Sequence, residues 1–439
     1  MRWTLLVLLV LAATAVSAGA QSGPPQPLTL QAAVEFALAH HPSLQQAEGR
    51  VATAQGTVAR AQAQERPQLD LSTRYTFLNT VPSFVLSPGQ APIELGSTHT
   101  WLTNLVAQQM LLSGGRLEAV VRQTTSAERA AEANRLRARQ QVAYGAESAY
   151  LMLAASEQAV GVAQETLRAA EENDRVVEAR FAERAAAQFE VLRAQVQVEE
   201  SRQALISAES DVTVAQAMLA NALGLQEGTF ALATTELPAE TVPAVAPSLV
   251  TAQATRPELA AADWQTKAAE AAVQYARAQR RPMVSLQIGY QYADPATLTQ
   301  YSVFSAITAL QMPLFDSGRI RAAIREAIGT RDQATAAREL LRNTVAQEVT
   351  TAQARLQSAD TQVGVAEHRV ALAEEALRIS NVRYQEAVAT QTEIMDAQAA
   401  LARARQGLIQ ARTGRALAAA SLRLAMGTTH TGDPSEQTP

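Results

Sequence analysis

The chain contains two copies of one structural unit, and this internal repeat constrains the fold more than any other feature of the sequence. "AQERPQLDLSTRY" (63–75) aligns with "AQRRPMVSLQIGY" (278–290) at a constant offset of 215. Further along, "RFAERAAAQFEVLRAQ" (180–195) aligns with "RYQEAVATQTEIMDAQ" (383–398) at an offset of 203. The difference of twelve residues is an insertion in copy one, in the Pro-, Gly- and Ser-rich segment after Tyr75. A repeat of this size predicts two similar halves in one molecule.

Each copy is predicted to run helix, strand, loop, strand, long helix, turn and helix. The first helix ends before Pro67 or Pro282, because proline cannot continue a helix and restricts the residue before it. After each strand pair comes a long run without proline that is rich in Ala, Gln, Glu and Arg, which are strong helix formers. We expect helices over 115–182 and 318–386, each about 100 Å long. Helices of this length indicate coiled-coil packing.

Gly115 and Gly318 are predicted to form the corner at which a strand turns into a long helix. Glycine accepts the backbone angles that a sharp change of direction needs. Just before Gly318, either Asp316 or Ser317 can cap the first turn of the helix with a side-chain oxygen.

The first strand of each copy alternates apolar and polar side chains over about ten residues, which is the pattern of a membrane β-barrel strand. A half-buried strand of a soluble protein is the alternative, but aromatic residues cluster in the strand pairs, as the girdle of a barrel requires. The polar face is expected to line the lumen of the barrel. Its candidate lumen residues are Asp70, Arg74, Gln287 and Gln291.

Four strands in one chain are too few for a barrel, since about eight is the minimum. Open strand edges are not tolerated in lipid, so several chains must share one barrel. Two chains would supply eight strands and three would supply twelve, and the number of strands does not choose between them.

The first twenty residues are predicted to be a secretory signal that is cleaved after Ala20, with a membrane anchor as the alternative. The chain has no cysteine, which excludes disulfides and thiolate metal sites, and a lipid-anchored N-terminus is not expected. The net charge is mildly acidic at −5, and no basic run indicates nucleic-acid binding.

Taken in order and twice over, these motifs resemble the TolC-like outer-membrane efflux family. The resemblance rests on "LTLQAAVEFALAHHPSL" (28–44), "RPQLDLSTRY" (66–75), "PLFDSGRI" (313–320) and the 383–398 segment quoted above. It implies a mainly α fold with a membrane β-barrel: a homotrimer with twelve barrel strands and a long α-helical coiled-coil tunnel across the periplasm. The partners it implies are outer-membrane lipid, a periplasmic adaptor protein and, through the adaptor, an inner-membrane transporter.

The same resemblance implies a division of the chain. Residues 1–20 are the signal peptide, 21–222 the first repeat, 223–250 an equatorial linker, 251–428 the second repeat and 429–439 a disordered tail.

Acidic residues at the predicted periplasmic tip are the candidate gate. Glu393 and Asp396 lie three residues apart on one helix face and match the positions where the family places acidic rings at the mouth of the tunnel. Glu190 is the counterpart of Glu393 in copy one, and Tyr384 matches a polar lock residue. An ordinary solvated helix face is the alternative interpretation. The family usually has glycine at the tip turns, and this chain has Arg184 and Ala387 there.

The sequence therefore predicts a passive outer-membrane exit duct of a tripartite efflux pump or a type I secretion system. We expect no catalytic residues, metal site or cofactor. A non-transporting periplasmic coiled-coil scaffold and a metal-ion efflux duct are the alternatives. The adjacent His40 and His41 are expected to lie at a helix end before Pro42 rather than to bind metal, and the sequence does not identify the cargo.

Overall fold

A computed structural model describes residues 24–85, 87–89, 93–94, 96–237, 245–294, 302–386 and 388–428. The elements of copy one are α1 (Leu30–His40), α2 (Pro42–Ala63), β1 (Gln68–Phe77), β2 (Ser83–Phe84), β3 (Ile93–Glu94), β4 (His99–Leu112), α3 (Arg116–Ala182) and α4 (Gln188–Ala222). The elements of copy two are α5 (Val245–Thr255), α6 (Pro257–Ala278), β5 (Met283–Asp294), β6 (Ser302–Gln311), α7 (Arg319–Gln385) and α8 (Gln391–Met426).

The predicted long helices are confirmed, with bounds that differ by no more than one residue from those expected. Helices α3 and α7 each contain 67 residues. The small hairpin of β2 and β3 lies in the twelve-residue insertion of copy one and was not predicted. The expected signal peptide, the expected C-terminal tail and part of the expected linker (238–244) lie outside the described residues.

The long strands form one antiparallel sheet in the order β1-β4-β5-β6. The two hairpins have the same register: Leu71 lies opposite Leu105 in copy one, and Leu286 lies opposite Thr308 in copy two. These pairs are related by the sequence offsets of 215 and 203. The internal repeat is therefore a structural repeat, and copy one joins copy two through β4 and β5.

The buried core lies among the helices. In copy one, Leu28, Leu153, Leu219 and Leu223 are completely buried where α1, α3 and α4 meet. In copy two, buried residues of α5, α6, α7 and α8 form a second cluster around Val349. Many other buried positions along the long helices are alanines, which allow the helices to pack closely. None of the helices in the described ranges is both long enough and apolar enough to cross a bilayer.

The segment after α4 contacts both Leu28, which precedes α1, and helix α3. Leu28 pairs with Leu232 in a short parallel bridge, in which the Leu28 amide donates to the Ala231 carbonyl at 2.8 Å. The hydroxyl of buried Tyr150, on α3, donates to the Thr234 carbonyl at 3.1 Å. Residues 231–234 of the predicted linker are thus held against α3 at the level of α1, whereas its residues 245–250 belong to α5.

The adjacent histidines lie at a helix boundary, as predicted. Helix α1 ends at His40, and His41 caps α2 by accepting a hydrogen bond on Nδ1 from the Ser43 amide at 3.2 Å. Burial lowers the pKa of His41, which keeps Nδ1 available as an acceptor. Among the described residues, no three His, Cys, Asp or Glu side chains are grouped so that they could hold a metal ion.

Candidate functional site

Gly115 and Gly318 lie at equivalent positions, between a strand and a long helix. Both precede the first residue of a long helix, and both have φ of 89°, in the left-handed region. The Asp316 carboxylate caps α7 by accepting from the amides of Gly318 at 3.1 Å and Ile320 at 2.7 Å. The Ile320 amide is the main reason why the pKa of Asp316 is lowered. The corner is therefore fixed by a glycine conformation and an ionised cap.

Copy one closes its corner with different side chains. Ser113 replaces Asp316, accepts from the Gly115 amide at 3.1 Å and donates to Glu118 at 2.6 Å. The hydrogen bond from the Ser113 hydroxyl is the main reason why the pKa of Glu118 is lowered. Gly114 also has a positive φ, and a Cβ there would lie 2.8 Å from the Cβ of Arg281. The Gly114-Gly115 pair indicated a turn here, but the sequence could not show this close approach to Arg281.

We expect Gly318→Val to lower the yield of correctly inserted protein. A Cβ at Gly318 would meet nothing within 4 Å, so the cost comes from the backbone conformation alone. Holding a side chain in the left-handed region costs about 1–2 kcal/mol. The control is Gln333→Val, which places the same side chain on an exposed position of α7. Equal amounts of the two variants in extracted outer membranes would argue against this role of the corner.

The four candidate lumen residues lie on one face of the sheet. Strand pairing brings Asp70 and Arg74 of β1 onto the same face as Gln287 and Gln291 of β5. Asn104 lies between the two strands on that face, opposite both Ser72 and Gln291. The face is mixed rather than uniformly polar, because the same alternation also places Ile307 on it. The structure thus brings all four residues together on the predicted lumen side.

The opposite face of the sheet is apolar and exposed in the single chain. Leu71 is 70% exposed, and Phe304 at the other edge of the sheet is also 70% exposed. Aromatic side chains gather near the end of the sheet farthest from the corners, where the Tyr75 and Trp101 rings lie 5.0 Å apart. Exposed apolar area of this extent marks a surface that contacts lipid or another protein.

Both outer strands of the sheet have an unpaired edge. Among the described residues, β1 pairs only with β4, and β6 pairs only with β5. An exposed edge presents a row of unsatisfied backbone donors and acceptors. In a hydrocarbon environment each unsatisfied group costs several kcal/mol, so these edges need partners.

The candidate gate residues lie at the far end of the long helices, where α3 turns into α4 and α7 turns into α8. Glu190 and Glu393 occupy the first turns of α4 and α8, and Asp396 is exposed one turn further along α8. The two helix starts touch, because the Gln391 side chain donates to the Glu190 carbonyl at 3.4 Å. The structure therefore brings all three acids to one tip of the chain.

Arginines lie close to these acids and to Tyr384, and the contacts that they make could not be read from the sequence. Arg383 forms an ion pair with Glu393 at 3.3 Å. Arg193 donates to the Thr392 hydroxyl at 2.8 Å and joins α4 to α8. The guanidinium of Arg180 lies over the Tyr384 ring, 4.6 Å from its centre, in a cation–π contact. The tip is thus a charged network within one chain, and Tyr384 belongs to it as a stacking partner.

The backbone conformation of the tip turn in copy one explains why glycine would be favoured at position 184. This residue has a positive φ of 60°, and the Ala185 amide closes the turn by donating to the Arg180 carbonyl at 2.7 Å. The pattern is a Schellman motif, which favours glycine at that position. In copy two, the Val388 amide donates to the Arg383 carbonyl at 2.8 Å in the same way, while Ala387 lies outside the described residues.

We expect Arg184→Gly to stabilise the tip of copy one by about 1 kcal/mol, because glycine adopts the left-handed conformation without a steric penalty. Chemical denaturation followed by far-UV circular dichroism measures the change. The control is Arg202→Gly, in the interior of α4, which should destabilise the helix. Loss of stability in Arg184→Gly would show that the arginine side chain, and not the backbone, determines this turn.

Comparison with known proteins finds a match to one protein family over most of the chain. The sequence profile of the family described as outer membrane efflux protein matches residues 33–225 and 249–428. No curated protein matches the chain.

Solved structures share the fold over most of their length. A membrane protein from Pseudomonas aeruginosa is 23% identical, with a TM-score of 0.80 and coverage of 92% of each chain. The outer membrane protein VceC from Vibrio cholerae is 23% identical, with a TM-score of 0.75 over 91% of this chain and 96% of that one. The CmeC outer membrane channel from Campylobacter jejuni is 15% identical, with a TM-score of 0.78 over 93% of this chain and 87% of that one.

Proposed function

The chain belongs to the outer membrane efflux protein family, and from this membership we propose that it is the outer-membrane exit duct of a tripartite efflux pump or a type I secretion system. In this role it is a passive conduit across the periplasm and the outer membrane. The sheet of β1, β4, β5 and β6 crosses the membrane, and the long helices extend into the periplasm. The observation that carries the proposal is a four-stranded sheet with an exposed apolar face and two open edges, attached to two helices of 67 residues.

The open edges support an assembly in which chains share one barrel. Three copies would supply twelve strands, and β6 of each copy would pair with β1 of the next. The apolar face then contacts lipid, while Asp70, Arg74, Gln287 and Gln291 line a polar lumen. The twofold repeat within each chain would give the trimer six similar units around the axis.

The acids at the tip support a gate at the periplasmic end. In a trimer Glu393 and Asp396 would contribute six carboxylates near the axis, with Glu190 close to them. Within each chain, Glu393 forms an ion pair with Arg383. We propose that the tip narrows the tunnel, and that a periplasmic adaptor linked to an inner-membrane transporter widens it and supplies the energy for transport.

The proposal is tested by efflux from whole cells. A strain that lacks this chain should accumulate one or more compounds from a panel of drugs, metal salts and secreted proteins, and the intact chain should restore their export. A chain with lumen substitutions Gln287→Arg and Gln291→Arg should reach the membrane but restore less export. Unchanged accumulation in the deletion strain across the whole panel, together with solubility without detergent, would instead favour a periplasmic scaffold.

A further inference from the structure

Arg116 of copy one forms hydrogen bonds with copy two at the end of the sheet where the strands meet the helices. It is the first residue of α3, and its guanidinium reaches the turn between α6 and β5. There it donates to the carbonyls of Ala278 at 3.3 Å, Gln279 at 3.0 Å and Arg281 at 3.2 Å. The last carbonyls of a helix lack partners within the helix and carry its negative end. The planar fork of an arginine can satisfy several of them together.

The repeat gives Arg116 an equivalent, Arg319, which is the first residue of α7. The repeat also gives its target an equivalent, because "AQRR" at 278–281 corresponds to "AQER" at 63–66, between α2 and β1. In the single chain these two elements cannot meet, since β6 and β1 form opposite edges of the sheet. Arg319 is exposed, and its guanidinium makes no hydrogen bond or ion pair with the described residues.

We propose that Arg319 clamps the turn between α2 and β1 of a second copy of this chain. Its acceptors are the carbonyls of Ala63, Gln64 and Arg66 of that copy. This inference rests on the proposed assembly and specifies how neighbouring copies join. The contact that Arg116 of α3 makes with the end of α6 within one chain is thus repeated between chains. There Arg319 of α7 contacts the end of α2 in the next copy.

Charge favours this contact between copies. Position 280 in the intrachain target is an arginine, whereas the equivalent position in the second target is Glu65. A carboxylate beside the α2 carbonyls attracts the guanidinium of Arg319. The turn contacted between chains is therefore more complementary to an arginine than the turn contacted within the chain.

The repeat also fixes the register between the two open edges. Ala107 of β4 lies opposite Ile288 of β5. Applying the offsets of 203 and 215 places Leu310 of β6 opposite Thr73 of β1 in the next copy. Both residues lie on the apolar face of their own strand pairs, where Thr73 lies opposite Thr103 and Leu310 opposite Val284. The inferred pairing therefore continues the same faces around the barrel.

Cysteine cross-linking tests the register directly, because the chain has no cysteine of its own. The variant Thr73→Cys/Leu310→Cys, treated in membranes with a short bismaleimide, should give covalently linked dimers and trimers. The matched control Thr73→Cys/Phe304→Cys moves one thiol six residues along β6, about 20 Å away, and should give little product. Equal cross-linking in both variants, or none in the first, would overturn the inferred pairing.

Arg319→Met tests the clamp itself, with Arg321→Met as the control on an exposed position of the same helix. Loss of hydrogen bonds to a charged donor should weaken each interface about tenfold, measured as the trimer fraction in native mass spectrometry. Circular dichroism should show unchanged helix content in both variants. If Arg319→Met and Arg321→Met give equal amounts of cross-linked trimer, the clamp is wrong, while the pairing of the strand edges stands. An unmodified chain that stays monomeric would overturn both this inference and the proposed assembly.

Discussion

Glu393→Ala/Asp396→Asn is expected to reduce the cation selectivity of the open channel about fivefold. Carboxylates that crowd a narrow axis attract cations, and two unit charges 4 Å apart in water interact by about 1 kcal/mol, which corresponds to that factor. Multivalent cations added on the periplasmic side should block the unmodified channel and block the variant less. Planar-bilayer recordings of reversal potential and of block measure both effects.

A variant that breaks the ion pair between Glu393 and Arg383 should have the opposite effect on cation selectivity. Arg383→Gln removes a positive charge and releases Glu393 from its ion pair, so cation selectivity should increase. The matched control is Glu326→Ala/Asp332→Asn, which removes two exposed acids near the corner end of α7. If selectivity and block are unaltered in the tip variants, these carboxylates are ordinary surface residues and the gate hypothesis is wrong.

Arg423→Met is expected to destabilise the helical part of the protein by about 3 kcal/mol. Arg423 of α8 pairs with Glu147 of α3, and the Glu147 side chain is only 3% exposed. Removing one partner of a buried ion pair leaves the other charge in a poorly solvated position. Unfolding in guanidinium chloride, followed by far-UV circular dichroism, measures the loss.

An exposed ion pair supplies the control for Arg423. Arg378 and Glu375 lie three residues apart on α7, and both side chains are more than half exposed. Water and salt screen such a pair, so Arg378→Met should change the midpoint of unfolding little. Equal midpoints for Arg378→Met and Arg423→Met would show that the contact between α3 and α8 does not depend on this buried pair.

The sequence predicted the features that depend on local signals. Gly115 and Gly318 mark where α3 and α7 begin, and the alanine-rich runs without proline predict that both helices are long. Their ends at the tip turns have no proline or glycine signal, and the resemblance of 180–195 and 383–398 to the family hairpin predicted them within one residue. The period-two alternation correctly predicted that Asp70 and Gln287 share a face, because a strand places alternate side chains on opposite sides.

The sequence could not predict contacts that arise only when distant segments meet. Arg116 lies 162 residues from Ala278, and no local pattern indicates that its guanidinium reaches that carbonyl. The pairing of Arg383 with Glu393 depends on the geometry of the tip turn, which brings the end of α7 beside the start of α8. The small hairpin of β2 and β3 was also missed, since its strands contain two residues each.

In the proposed assembly one chain supplies a third of a shared barrel. Native mass spectrometry of the mature protein, extracted in detergent without cross-linker, counts the chains in this assembly. We expect one dominant species with the mass of three chains, because the edges of β1 and β6 require partners in lipid. A stable monomer or a stable dimer as the dominant species would contradict it.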